Sequence, residues 1–133
     1  MVPQPVLNRE AELDLLQERV SDALRLARAG GADECEVSAH TSQGLSVAAR
    51  LGEVETLEYM QDRGITVTVL IGRRKGQASS ADLNAGSLAD CVSHAVDIAR
   101  YTQEDPCNGL ADPELLATEQ PELDLWHPAT VDA

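Results

Sequence analysis

Aromatic residues are almost missing from this chain: 133 residues hold no Phe, one Trp and two Tyr. Any core must therefore be aliphatic, and the length suits one ordinary domain with a modest core. Basic residues are scarce as well, ten Lys and Arg against 23 Asp and Glu, for a formal net charge of -13. Eight carboxylates follow Arg100 and no Lys or Arg does. Such a surface repels phosphate backbones and anionic lipid, so direct binding to DNA, RNA or a membrane surface is disfavoured. The only basic run, Arg73-Arg74-Lys75, reads as a solvated hairpin tip rather than a phosphate site. No apolar run approaches membrane-spanning length and no signal peptide is seen. The three cysteines, Cys35, Cys91 and Cys107, are odd in number and lack metal-type spacing. These features predict a cytoplasmic chain with free thiols. Repeats, low-complexity segments, a Gly-rich phosphate loop and a nucleophile–base constellation are all missing.

The organising stretch runs from Glu34 to Asp82. Apolar or small residues recur at every second position: Val37, Ala39 and Thr41, then Leu45, Val47, Ala49 and Leu51, then Ile65, Val67, Val69 and Ile71. That period predicts strands with one face on a core and one on solvent. Breakers separate the runs at Ser42-Gln43-Gly44, Leu51-Gly52, Asp62-Arg63-Gly64 and Gly72 to Gly76. Short Gly-containing gaps make antiparallel hairpins, so four or five antiparallel strands in a meander are expected. The run Val54–Tyr59 does not hold one parity and is read as an edge strand or a bulged one. The last strand, about Gln77 to Ala81, has small side chains that permit close approach by a helix of the same domain or by a partner chain.

A helix flanks the meander on each side. Asn8 caps the first, which runs to about Arg28 with a stripe of Leu13, Leu16, Val20, Leu24 and Ala27 and stops at Gly30-Gly31. Asn84 caps the second, which runs to about Tyr101 with a stripe of Leu88, Cys91, Val92, Ala95, Ile98 and Ala99. Cys91 is read there as a small core hydrophobe. The expected fold is α+β, in the order helix, meander, helix, with both helices on one sheet face. Residues 1–7 are expected to form a loose arm, 8–102 the folded domain, and 103–133 an acidic, Pro-containing extension leading into a C-terminal domain outside this chain. Asp112-Pro113 opens a short helix through Leu116. Leu123, Leu125 and Trp126 are expected to fold back over the sheet or to meet something outside the chain.

Several words in this chain resemble the N-terminal domain of the PmbA/TldD family. They are Gly52-Glu53-Val54-Glu55, Gly64-Ile65-Thr66-Val67-Thr68-Val69 and Arg73-Arg74-Lys75-Gly76-Gln77-Ala78-Ser79-Ser80. Asp97-Ile98-Ala99-Arg100-Tyr101-Thr102, Asp105-Pro106-Cys107 and Leu123-Asp124-Leu125-Trp126-His127-Pro128 are similar to the PmbA branch, also called TldE. The resemblance spans roughly Ala11 to Pro128, and it rests on the order and spacing of the words together. It implies the N-terminal part of a longer subunit. That subunit would work in a cytoplasmic TldD–TldE heterodimer, a zinc-dependent peptidase that processes modified peptides such as microcins and degrades unfolded or antitoxin peptides. Family members carry the label of DNA gyrase modulators, which the acidic surface here does not support as direct DNA binding.

The resemblance places the zinc motif, two histidines and a glutamate on a helix, in the TldD subunit and C-terminal to this region. His40, His94 and His127 are far apart, and none has a Glu at the required spacing. No catalytic, cofactor-binding or metal-binding residue is therefore assigned to this chain, and zinc belongs with the TldD-type partner. The trio Asp90, His94 and Asp97 is the nearest approach to a site. It lies on the outer face of one helix and reads as a solvated face. The alternative function is a free-standing acidic module that captures an extended peptide or protein segment by strand addition at a sheet edge.

Overall fold

Three strands, not four or five, make the sheet. A computed structural model describes residues 8–127, so the expected loose arm 1–7 lies outside the described residues. The order is α1 (Arg9–Ala29), β1 (Glu34–Arg50), β2 (Glu53–Ile71), β3 (Arg74–Ser80) and α2 (Ala85–Tyr101), followed by one 3₁₀ turn at Pro113–Leu115. The strands are antiparallel in the order β1-β2-β3, so the class is the expected α+β.

Two of the expected breaks lie opposite each other inside the β1–β2 ladder. Ser42 faces Asp62, Gly44 faces Met60, and Gly64 faces His40. Each glycine lies under the long side chain of its cross-strand partner. A Cβ on Gly64 would fall 2.9 Å from the His40 ring, and one on Gly44 would fall 3.6 Å from the Met60 methyl. A partner that covers a glycine offsets the packing lost there, so the strands continue through both. Parity carries the same message: positions 37 to 49 hold one phase across Gly44. At Val54–Tyr59 the mixed parity does mark a bulge. Ala48 pairs with Thr56 and Ala49 with Val54, which leaves Glu55 unpaired.

β1 and β2 turn at Leu51-Gly52, both with positive φ (54° and 87°). Two positive φ values are what a type I′ hairpin turn requires, and they favour Asn-Gly. Leu51 is 97% exposed, so it bears a left-handed backbone without packing in return. Leu51→Asn should stabilise the turn by about 1 kcal/mol and slow amide exchange near the tip about fivefold. Unchanged exchange would refute this reading. The second turn is tighter than expected: Ile71 pairs directly with Arg74, so Arg74 and Lys75 belong to β3 and only Arg73 stands at the tip.

Both helices lie on one face. Ile65, Val67 and Val69 of β2 are almost fully buried with Leu16, Ala23 and Ala27 of α1 and Leu88, Val92, Ala95 and Ala99 of α2. Cys35, Val37, Ala39 and Ala78 border this cluster. α1 lies over β1, and α2 lies over β3 and β2. The caps are as expected: Asn8 accepts from the Ala11 N–H at 3.3 Å and Asn84 from the Ser87 N–H at 2.8 Å. Two stripe positions differ. Leu13 is 44% exposed. On α2, Val96 is buried while Ile98 is 47% exposed. Both flank the α2 stripe at equal angles, and only the Val96 side is closed, by the end of α1, where a Cβ on Gly30 would fall 3.1 Å from the Val96 side chain. The small strand admits α2 itself. A Cβ on Gly76 would lie against the Ala95 carbonyl and 2.5 Å from the Ala99 nitrogen.

Candidate functional site

The helices cover only the first half of the β1–β2 ribbon. Beyond Thr41 and Arg63 it projects as a two-stranded arm. One row along it, on the same side as the helix-covered core, carries Leu45, Val47, Val54, Leu57 and Tyr59, all between 37% and 65% exposed. The alternation places these residues on a core face, but no element of the described residues lies over them. The reverse side and the outer β2 edge carry Glu53, Glu55, Glu58 and Asp62. The arm is therefore amphipathic, with an uncharged face and an acidic one. An isolated two-stranded ribbon is marginal in water. At its base the packing turns polar: Arg63 bridges to Glu12 at 3.5 Å.

The thiols divide by burial. Cys91 is buried on α2, Cys35 is half-buried and Cys107 is exposed, and all three are free. Burial pushes the Cys91 and Cys35 thiols up, with the Arg28 charge partly opposing the shift at Cys35. Both are held in the unreactive protonated form. Asp82 titrates below the usual carboxylate range because it accepts from the Asn84 backbone N–H and the Ser87 hydroxyl. It serves the start of α2.

The histidines are not brought together. His40 lies on β1 with a ring nitrogen 3.2 Å from Asp62, His94 on the exposed face of α2, and His127 in the extension. Asp90, His94 and Asp97 share the outer face of α2, where Asp97 is taken by Arg100 at 3.4 Å. Among the described residues no group of three His, Cys, Asp or Glu could hold a metal ion. The donor set does not fit a zinc site.

The basic run has a structural use. Arg73 donates to the Asn108 carbonyl at 2.6 Å, and its own carbonyl accepts from Asp105 and Asn108. Arg74 pairs with Glu104 at 3.4 Å. The Leu110 N–H donates to Glu34 at 3.0 Å. These bonds turn the chain after α2 under the open sheet face, where Leu70, Thr68, Gln77 and Cys107–Leu110 line a shallow groove. Leu123, Leu125 and Trp126 do not lie over the sheet. They stand beside the start of α1, with the Arg9 guanidinium 5.5 Å from the Trp126 ring.

Residues 35–99, which span all three strands and most of α2, match the family described as PmbA/TldA metallopeptidase domain 1. The chain belongs to the PmbA/TldD family. Over 122 residues it is 50% identical to the Metalloprotease PmbA of Escherichia coli O157:H7, covering 92% of this chain and 27% of that protein. It is 41% identical over 123 residues to a Metalloprotease PmbA homolog of Haemophilus influenzae, again 92% of this chain and 27% of the relative. The chain thus spans about a quarter of the length of the curated relatives it matches. Two crystal structures share the PmbA/TldD fold. TldE from Thermococcus kodakarensis superposes with a TM-score of 0.60 at 14% identity, over 86% of this chain and 25% of that one. A Bacteroides thetaiotaomicron protein described as a modulator of DNA gyrase gives 0.66 at 23% identity, over 81% and 23%. Among the described residues, no helix of this PmbA/TldD domain is long and apolar enough to cross a membrane.

Proposed function

We propose that this chain is the non-catalytic first domain of a PmbA/TldE-like subunit within a cytoplasmic TldD–TldE zinc-dependent peptidase. The observation that carries the reading is the 50% identity with Metalloprotease PmbA across 92% of the chain. In this reading residues 8–102 are the domain proper and 103–133 lead onward to the rest of the subunit. Zinc is held by the TldD-type partner. The substrates are unstructured or modified peptides, such as microcin precursors and antitoxins. The net charge of -13 argues against direct contact with nucleic acid.

The scattered donors support a scaffold role. Catalytic zinc needs about three protein ligands and an open position, and His40, His94 and His127 stand on three separate elements. Plentiful exposed carboxylates bind hard cations loosely instead of zinc in a fixed geometry. The chain alone should retain no zinc after dialysis against a weak chelator, and should leave an unstructured peptide intact. Cleavage should require a TldD-type subunit. Stoichiometric zinc in this chain, or chelator-sensitive cleavage by it alone, would overturn the proposal.

A further inference from the structure

The arm joins the body through a polar girdle. Along the helix side of the β1–β2 ladder the opposed pairs run Val37–Val67, Ala39–Ile65, Thr41–Arg63, Gln43–Gln61, Leu45–Tyr59 and Val47–Leu57. Two polar pairs thus interrupt an apolar row. The buried core stops at Ile65, and the apolar face of the arm begins again at Leu45. Hydrophobic packing does not lock the arm to the body here, because the apolar surfaces on the two sides are not continuous. The reverse side is just as bare at this level. Gly64 faces His40 and Gly44 faces Met60, and the contact of His40 with Asp62 lies in solvent. Glycine within a strand marks a place where the ribbon bends readily.

One helix reaches the girdle. Glu12, in the first turn of α1, takes the Arg63 guanidinium at 3.5 Å through one carboxylate oxygen, and both side chains are partly buried. Among the described residues this is the only ion pair between a helix and the sheet. The second Glu12 oxygen, Oε2, and the Thr41 hydroxyl are both shut off from solvent and find no partner in the chain. Buried polar atoms are rarely left unbonded, since each loses its hydration without return. Thr41 stands directly across the ladder from Arg63 and on the same side of the sheet. An unused acceptor and an unused hydroxyl therefore flank a single long ion pair.

From this arrangement we infer that the arm tilts on the girdle as a unit and that Glu12 is its latch. In the position described, Glu12 holds Arg63. A tilt that brings Thr41 toward α1 and carries Arg63 away lets the carboxylate accept from the Thr41 hydroxyl instead. Each position is then held by one bond from the same side chain, and the orphaned atoms of the first position are the bonded atoms of the second. Alternatives of this kind give two populated states in place of a continuous wobble. The lever is long. From Thr41 to Arg50 the strand spans about 30 Å, so a tilt of about 20° carries the tip through roughly 10 Å. The device lies within one chain and does not depend on the peptidase reading above.

The test places nitroxide labels at Gln17→Cys and Thr56→Cys, one on the exposed side of α1 and one near the arm tip, and reads their separation by pulsed electron resonance. The labels go on a Cys35→Ala, Cys107→Ser chain, whose remaining Cys91 is buried and takes no label. Two resolved distances are expected, with the Arg63-bonded position in the majority. Arg63→Met removes that bond and should shift the ratio of the two populations at least about fivefold toward the other position. Thr41→Val removes the hydroxyl and should leave only the first distance. Arg50→Met breaks only the exposed Arg50–Glu55 pair near the tip and should leave the ratio as it is. Far-UV circular dichroism should be alike for all of them. A single distance that neither Arg63→Met nor Thr41→Val alters would overturn the proposal. So would a response to Arg50→Met as large as that to Arg63→Met. Loss of the helical signal in Arg63→Met would overturn it as well, by making the ion pair a prop of the whole fold.

Discussion

Gly76→Ala should cost this domain about 3 kcal/mol or more and lower its melting temperature by roughly 10 °C, enough to unfold a marginal domain near 37 °C. A single methyl seldom does so much. Here its neighbours are helix backbone, the Ala95 carbonyl and the Ala99 nitrogen, with the Ala99 methyl a further 3.0 Å contact. Side chains can rotate away from an added methyl. The backbone of α2 can yield only by lifting as a whole, and that opens the packing of Leu88, Val92 and Ala95. Gly44→Ala is the matched control, since its Cβ would make only an ordinary 3.6 Å contact with Met60. Its melting temperature should move by a few degrees at most. If the two variants melt together, α2 does not lie against β3 at Gly76.

Val67→Asp should abolish cooperative folding, whereas Arg74→Ala should not. Val67 sits in the middle strand between Val37 and Ala78 and has no solvent exposure. A carboxylate there has no partner, and burial of an unpaired charge costs several kcal/mol, comparable with the whole stability of a domain this size. Arg74 pairs with Glu104 at 3.4 Å, with 43% and 63% of the two side chains exposed. A pair in that much water contributes about 0–1 kcal/mol. Far-UV circular dichroism with thermal melts separates the two cases. A folded Val67→Asp variant that melts with Arg74→Ala would show that the register is wrong.

Local signals made the helices and the core rows legible. Asn8 and Asn84 announce their helices through a single side-chain oxygen, and the period-two run Ile65–Val69 announces a buried face. Gly44 and Gly64 misled because a glycine inside a strand and one in a turn look alike along the chain. What separates them is the residue across the ladder, Met60 or His40, and that pairing is long-range. Ile98 and Val96 differ for a similar reason: the α2 stripe alone cannot say on which side α1 lies. The uncovered arm was hidden in another way. Alternation reports that a face is apolar and says nothing about whether this chain supplies the cover. The wording of the motifs sufficed for the family.

The chain's lone indole, Trp126, stands in the extension beneath Arg9, and its two phenols, Tyr59 and Tyr101, lie on the arm and at the outer end of α2. Every chromophore of the near ultraviolet is thus mounted outside the aliphatic interior. Intrinsic emission will register whether the extension is seated against α1, and is nearly blind to Val67 and its neighbours. A fluorescence-monitored melt and a far-ultraviolet melt of this protein therefore observe two different events, and a disagreement between them measures how independently the extension detaches.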